Sequence, residues 1–112
     1  MAAVVRHVRE HAADGLTVRD LLRQFPIVRR SMERRFRQSI GCIPHEQIRR
    51  VLVERAKQLL RETDLQMPGV ARRSGFPNAT RFGETLTRLV GQTPTAYRRH
   101  VAGEATERRD LE

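Results

Sequence analysis

The chain has 112 residues and a formal charge of +9, from 22 Lys and Arg against 13 Asp and Glu. Every basic residue except Lys57 is an arginine, whose planar guanidinium suits phosphate and guanine, so a polyanionic partner is indicated, although an arginine-rich genome composition would give the same count. A lone cysteine, no apolar run of membrane-spanning length and no signal-peptide pattern favour a soluble, cytoplasmic protein without disulfides, of one compact domain or two small lobes.

The first part of the chain predicts three helices, because apolar residues recur every three or four positions and no alternating run predicts a strand. A first amphipathic helix ends at Asp14-Gly15, and a short helix 18–24 follows with Thr17 as its N-cap. Pro26 breaks the chain before a helix over 29–40, which Gly41 closes as a left-handed cap. We call helix 29–40 the first reading helix.

The second part predicts four more helices. Pro44 stands at the first position of a long helix that runs to Glu62. A short helix over 68–73, a turn at 75–77, a helix over 79–90 and a last helix opened by Pro94 follow. We call helix 79–90 the second reading helix. Residues 102–112 are charged and low in apolar content, so we predict a flexible, unstructured tail there.

The two parts repeat each other. With an offset of fifty, Met32, Phe36, Gly41 and Pro44 fall on Phe82, Leu86, Gly91 and Pro94. Each part is a short helix, a tight turn and a longer helix, which is the layout of a helix-turn-helix unit. The predicted fold class is all-α, with helix-turn-helix subdomains at 1–43 and 63–101 joined by a connecting helix at 44–62.

The first reading helix has two contrasting faces. At 100° per residue, Met32, Phe36 and Ile40 lie within about 80°, with Val28 and Ser39 beside them, facing a core that contains Leu21, Leu22 and Ile27. The opposite side carries Arg30, Glu33, Arg34 and Arg37.

A solvated charged face is the ordinary explanation of such a pattern, but its place after a short helix and a turn favours entry into a DNA major groove. Arginines there can contact guanine O6 and N7, and Glu33 can accept from a cytosine amine. Arg35 lies toward the buried side and is predicted to cap a carbonyl or to pair with an acid.

The second reading helix matches this face with Thr80, Gly83, Glu84 and Thr87, which carry no positive charge. Arg81 and Arg88 flank it, and these two arginines, with Arg72 and Arg73 in the preceding helix, are in a position to touch phosphates. We therefore predict an asymmetric reader in which the first unit supplies most of the affinity.

The connecting helix has 19 residues and spans about 28 Å, while successive major-groove faces lie about 34 Å apart. One chain can then place its reading helices in two successive grooves. Lobes that tumble independently would instead act as two tethered weak binders. A basic module that coats DNA without sequence preference and a module that binds an acidic protein are the alternatives.

Catalysis and metal binding are not expected. No serine stands with a histidine and an acid in a recognisable arrangement, and no glycine-rich loop for phosphate is present. His7 and His11 are four residues apart but have no third ligand nearby, so they are predicted to be ordinary helix-surface histidines. We expect no enzyme activity, no cofactor and no metal.

Several motifs give the chain a family resemblance. ERAKQLL at 54–60, GF at 75–76, Phe82 and GQTPTAYR at 91–98 resemble the DNA-binding region of AraC/XylS-type transcription regulators. RHVREHA at 6–12 with GLTV at 15–18 is similar, more narrowly, to the xylose-operon regulators. The resemblance implies a cytoplasmic transcription regulator that binds double-stranded DNA, with RNA polymerase as a further expected partner and an effector bound only by a sensor domain outside this chain.

The resemblance also implies roles for particular residues. Base contacts are carried over to Arg30, Glu33 and Arg34 in the first reading helix and to Thr80, Arg81 and Glu84 in the second. Independently of the resemblance, the placement of the arginines leads us to expect phosphate or flanking contacts from Arg29, Arg37, Arg72, Arg73 and Arg88.

The chain departs from the family pattern at three places. Val28 replaces a usual capping serine, which costs about 1 kcal/mol of helix stability. Leu86 replaces a usual aromatic residue, and Pro68-Gly69 opens the second unit where better helix formers are usual. These departures are expected to weaken the domain or its grip on DNA.

Overall fold

The computed structural model describes the backbone of residues 1–111 and the side chains of residues 1–104. This part of the chain contains α-helices, one short 3-10 turn and no strand, which confirms the all-α prediction. The helices are α1 (Ala2–His11), α2 (Val18–Gln24), α3 (Arg29–Ile40), α4 (Pro44–Glu62), α5 (Met67–Ser74), α6 (Ala79–Val90) and α7 (Pro94–Leu111). None of the helices described is both long and apolar enough to cross a membrane.

The helix ends follow from the residues that stand there. Thr17 and Asp20 form a reciprocal capping box at the start of α2: the Asp20 backbone N–H donates to Thr17 Oγ1 at 3.1 Å, and the Thr17 backbone N–H donates to Asp20 Oδ2 at 3.0 Å. Gly41 and Gly91 end the two reading helices, α3 and α6, at φ of +89° and +84°. The predicted caps at Thr17 and Gly41 are confirmed.

The chain divides into two compact units, the first from Met1 to Leu52 and the second from Val53 onward. The boundary lies inside α4, so the segment that we predicted as a separate connector contributes to both units. Ile48 and Leu52 are buried residues of the first unit, whereas Ala56 and Leu60 are buried residues of the second.

Each unit has its own core on the repeated positions. In the first unit α1 packs against α3, and Val8, Leu21, Met32 and Phe36 are fully buried. In the second unit α5 and α7 both pack against α6, and the buried residues include Val70, Ala71, Phe82, Leu86 and Tyr97. The inner faces of the two reading helices therefore correspond, as the repeat predicted.

Arg98 links α7 to the end of α4 and to the loop that follows α4. Its guanidinium donates to the carbonyl oxygens of Leu60 at 3.2 Å, Thr63 at 3.1 Å and Leu65 at 2.7 Å. Because Leu60 and Thr63 carry carbonyls that the end of α4 leaves without helical partners, Arg98 caps that helix and holds the loop that follows it. In the same unit, Arg55 Nε donates to the carbonyl of Arg73 at 2.8 Å, near the end of α5.

The structure corrects our prediction of an unstructured C-terminal tail. We expected no helix from residue 102 onward, but α7 continues to Leu111. Low apolar content does not prevent a helix when the residues are Ala, Glu and Arg, which are strong helix formers. A contact between His100 Nε2 and Glu104 Oε1 at 3.0 Å, four residues apart, supports the helix across the point where we expected it to end. Glu112 lies outside the described residues.

Candidate nucleic-acid interface

The first helix-turn-helix consists of α2, a four-residue turn and α3. The Phe25 N–H closes α2 on the carbonyl of Leu21 at 2.9 Å, and the Ile27 N–H donates to the carbonyl of Phe25 at 2.8 Å. These bonds turn the chain sharply enough for α3 to begin at Arg29. Since Met32 and Phe36 are fully buried, the opposite side of α3 has to face outward.

The outer side of α3 carries the arginines that the sequence singled out. Arg30, Arg34 and Arg37 are exposed, and their side chains have no hydrogen bond or ion pair within the described part of the chain. Glu33 is half-buried, with its carboxylate 3.8 Å from Arg29 Nη1. An exposed pair at that distance contributes little to stability, so these groups remain available to an external partner.

Three residues of the first unit differ from the prediction: Val28 and Ser39, which we placed beside the buried face, and Arg35 are all exposed. Val28 is 70% exposed rather than part of the buried face, because it is the N-cap residue of α3 and precedes its first turn. Its side chain has no acceptor, so α3 starts without a side-chain cap.

Arg35 also corrects the prediction, since it is exposed and makes no ion pair or carbonyl contact with the described residues. A long side chain at the edge of a buried face can lay its stem along the surface and keep its charge in water. Arg35 therefore adds a fifth arginine to the exposed surface of α3. The helical wheel places Arg35 beside the buried face, and for this reason the sequence did not identify it as an exposed arginine.

The outer side of α6 is built differently. Asn78 caps the helix by accepting from the Arg81 backbone N–H at 2.8 Å, while Phe82 and Leu86 face the core. Leu86 is fully buried, and the Phe76 and Phe82 rings, 5.3 Å apart, keep an aromatic pair in this core. The exposed positions on the other side are Thr80, Arg81, Glu84, Thr87 and Arg88.

The charged groups on the outer side of α6 are also unpaired within the described part of the chain. The side chains of Arg81, Glu84 and Arg88 form no ion pair with any residue that the structure describes. Arg72 and Arg73 are exposed in the last turn of α5, close in sequence to the start of α6. The structure thus leaves the predicted residues of each unit exposed, except Glu33, which is half-buried.

Electrostatics distinguish the two surfaces. In α3 five arginines oppose one glutamate, whereas in α6 two arginines oppose one glutamate. The first unit as a whole has eleven basic and five acidic residues, giving +6, and the second has eleven and eight, giving +3. The stronger attraction for a polyanion therefore lies in the first unit.

His7 and His11 contact neighbouring side chains within the first unit. The His7 ring is half-buried, with its centroid 4.5 Å from that of His11 and 5.6 Å from that of Phe25. His11 Nδ1 lies 3.3 Å from Asp14 Oδ2. No group of three or more possible metal ligands occurs among the described residues.

The same fold occurs in proteins of known structure. The DNA-binding domain of AdpA, a global transcriptional factor, was solved in complex with a target DNA; it matches with a TM-score of 0.85 and 30% identity over 92% of this chain and 93% of that one. A family model described as a helix-turn-helix domain matches residues 21–100. The chain belongs to the AraC-type helix-turn-helix family. Its fold of two helix-turn-helix units is the one that the sequence predicted.

Two further relatives are similar to this chain. A transcriptional regulator with an AraC-type DNA-binding domain from Chromobacterium violaceum matches with a TM-score of 0.75 and 25% identity, over 88% of each chain. The xylose operon regulatory protein of Escherichia coli K12 is 29% identical over 94 residues, which are 84% of this chain and 24% of that protein. The chain therefore spans about a quarter of the length of this curated relative. Both of these relatives are named as regulators.

Proposed function

We propose that this chain is the sequence-specific DNA-binding part of a transcription regulator, with α3 and α6 as its reading helices. The observation that carries the proposal is the outer side of α3, where Arg30, Arg34 and Arg37 are exposed without partners among the described residues. Leaving several arginines unpaired on one helix face gives no stability to the protein. It is what a surface that binds a polyanion requires.

The mechanism divides base contacts from phosphate contacts. In the first unit Arg30 and Arg34 donate to guanine O6 and N7, and Glu33 accepts from a cytosine amine. In the second unit Thr80, Arg81 and Glu84 take the base contacts. Arg29, Arg37, Arg72, Arg73 and Arg88 hold the flanking phosphates and set the register of each helix. The two reading helices enter two successive major grooves.

The name and length of one relative suggest what the whole regulator does. The relative from Escherichia coli is named a xylose operon regulatory protein, and this chain spans only 24% of it. We propose that this chain likewise serves a sugar-utilisation operon, under a sensor domain outside these residues that binds the effector. Such a protein acts in the cytoplasm, beside the chromosome and RNA polymerase, and it carries out no catalytic step.

A second candidate function is a DNA-coating protein without sequence preference, which the charge of +9 also supports. Both functions predict binding that weakens steeply with salt. Only a sequence reader prefers one site over bulk DNA, by about a thousandfold or more. Specificity, and not affinity, is therefore the quantity to measure.

Selection from a random duplex pool tests the proposal. We expect repeated rounds to enrich one site, and competition at physiological salt to show a preference of about a thousandfold over bulk DNA. Arg34→Ala should reduce this preference, whereas Arg99→Ala should not, although it removes the same charge from an exposed position outside the proposed contacts. Enrichment of no sequence, with tight binding to every duplex, would favour the coating function instead.

A further inference from the structure

The two reading helices carry their charges on different flanks. With the offset of fifty, the arginines at 30, 34 and 37 of α3 are replaced in α6 by Thr80, Glu84 and Thr87. Conversely, the uncharged residues at 31 and 38 of α3 are replaced in α6 by Arg81 and Arg88. At 100° per residue, Glu84 lies at the centre of the outer side of α6, with both arginines on one flank and both threonines on the other.

Gly83 lies on the uncharged flank, and no contact within the described protein explains why a glycine stands there. It stands in the interior of α6, where glycine weakens a helix relative to alanine. Its φ is not positive, so the backbone does not require glycine there. A Cβ built at this position meets nothing within 4 Å, so the described protein has room for alanine. Glycine is then explained by a partner that approaches the helix closely from outside.

Thr87 shows what chemistry this flank presents. Its hydroxyl donates to the carbonyl oxygen of Gly83 at 2.7 Å, one turn earlier in the helix. Because that donor is already used, the hydroxyl of Thr87 can only accept a further hydrogen bond, and its methyl group is the apolar part that faces an outside contact. Thr80, exposed on the same flank, supplies a second threonine methyl. In the major groove the apolar group available to such a surface is the C5-methyl of thymine.

We infer that the Gly83 flank of α6 packs in direct contact with thymine methyl groups, and that Gly83 determines this specificity because a side chain would hold the helix away. This inference rests on the proposed function and deepens it. Glu84, at the centre, accepts from a neighbouring cytosine amine, while on the other flank Arg81 contacts a base edge and Arg88 holds a phosphate. The second unit therefore reads a pyrimidine-rich stretch by close contact, where the first unit reads guanines by arginine.

A pair of glycine substitutions tests the close approach. Gly83→Ala should weaken binding to the selected site by tenfold or more while raising the melting temperature, because alanine stabilises the helix but obstructs the approach. Gly103→Ala is the matched control: it lies in α7, and a Cβ there also meets nothing within 4 Å. It should leave DNA affinity within twofold. Unchanged affinity in Gly83→Ala would overturn the inference.

Replacing thymine by deoxyuridine tests the methyl contact, since it removes only that group. Repeating the selection with Arg34→Ala shows which positions belong to the first unit, and the remaining conserved positions of the selected site belong to the second. At one or two thymines there, we expect each replacement to weaken binding about fourfold. In Gly83→Ala the same replacement should have less than half this effect. If every thymine tolerates replacement, the inference is wrong.

The outcomes separate this inference from the proposed function. If no duplex is enriched, the proposed function fails and the inference fails with it. If a site is enriched but its second half lacks thymine, or responds to neither the glycine nor the methyl change, only the inference fails.

Discussion

The two reading helices share their inner faces and differ in nearly everything else. Met32 and Phe36 in α3 correspond to Phe82 and Leu86 in α6, and all four are buried. Outside, α3 has five arginines and α6 has two. The buried positions therefore maintain the repeated fold, while the exposed positions are free to acquire separate contacts.

The N-terminal capping of the two reading helices also differs, and here α6 has the feature that α3 lacks. α6 begins with Asn78, whose side chain caps the helix, whereas α3 begins with Val28, which has no capping group. The helix with the greater charge therefore has the weaker start. Four predictions test this contrast between the units, from the largest expected effect to the smallest.

Arg98 gives the largest expected effect, and it concerns the second unit alone. At the corresponding position the first unit has Ile48, a buried apolar residue. Arg98→Ala leaves three carbonyl oxygens without their charged donor, so we expect the second unit to lose about 2–4 kcal/mol of stability. Native-state hydrogen exchange will measure the loss unit by unit.

Arg99→Ala provides the control for that measurement. Its side chain is exposed, and the described residues offer it no partner, so the variant should stay within about 0.5 kcal/mol of the wild type. If Arg98→Ala is no less stable than Arg99→Ala, the three carbonyl contacts contribute nothing.

Arg34 and Thr80 test the asymmetry of DNA binding. Arg34→Ala removes a proposed bidentate base contact and should cost about 1–3 kcal/mol of specific binding, or roughly 5- to 150-fold in affinity. Thr80→Ala removes smaller groups and should cost no more than about fourfold. Fluorescence anisotropy with the selected duplex gives both values. Equal losses would contradict a dominant first unit.

Val28→Ser should remove the difference in capping. The backbone at Val28 has φ −72° and ψ 152°, the extended geometry of an N-cap, and its side chain is 70% exposed, so serine fits without loss of packing. We expect a gain of about 1 kcal/mol in the first unit, and a similar loss in the second from Asn78→Ala. Urea denaturation measures both. No gain from serine would mean that α3 does not need the cap.

Asp20 gives the smallest effect, confined to the first unit. Hydrogen bonds from the Thr17 backbone and side chain lower the pKa of Asp20 below its ordinary value of 3.8. A lowered pKa in the folded state means that the carboxylate stabilises the fold above pH 4 or so, and that this contribution is lost as the pH falls through the lowered pKa. Asp20→Asn should flatten the pH dependence of stability in that acid range. Identical acid denaturation curves would contradict this.

The sequence by itself determined the helices and the repeat. A helix is specified by neighbours three and four residues apart and by its caps, so the burial of Met32 and Phe36, the capping box at Thr17 and the turn at Gly41 were all predictable. The outer residues of both reading helices were predictable for the same reason, since a buried face defines the exposed one. Their roles in DNA binding remain predictions.

Only the tertiary structure decided what depends on residues far apart in the chain. Arg98 reaches carbonyls 33 to 38 residues away, and no local pattern specifies such a contact. Arg35 lies at the edge of a buried face, where a helical wheel does not distinguish a paired side chain from one extended into water. The space beside Gly83 likewise depends on everything packed around α6. Periodicity assigns a residue to a face, but the three-dimensional path of the chain determines what that face meets.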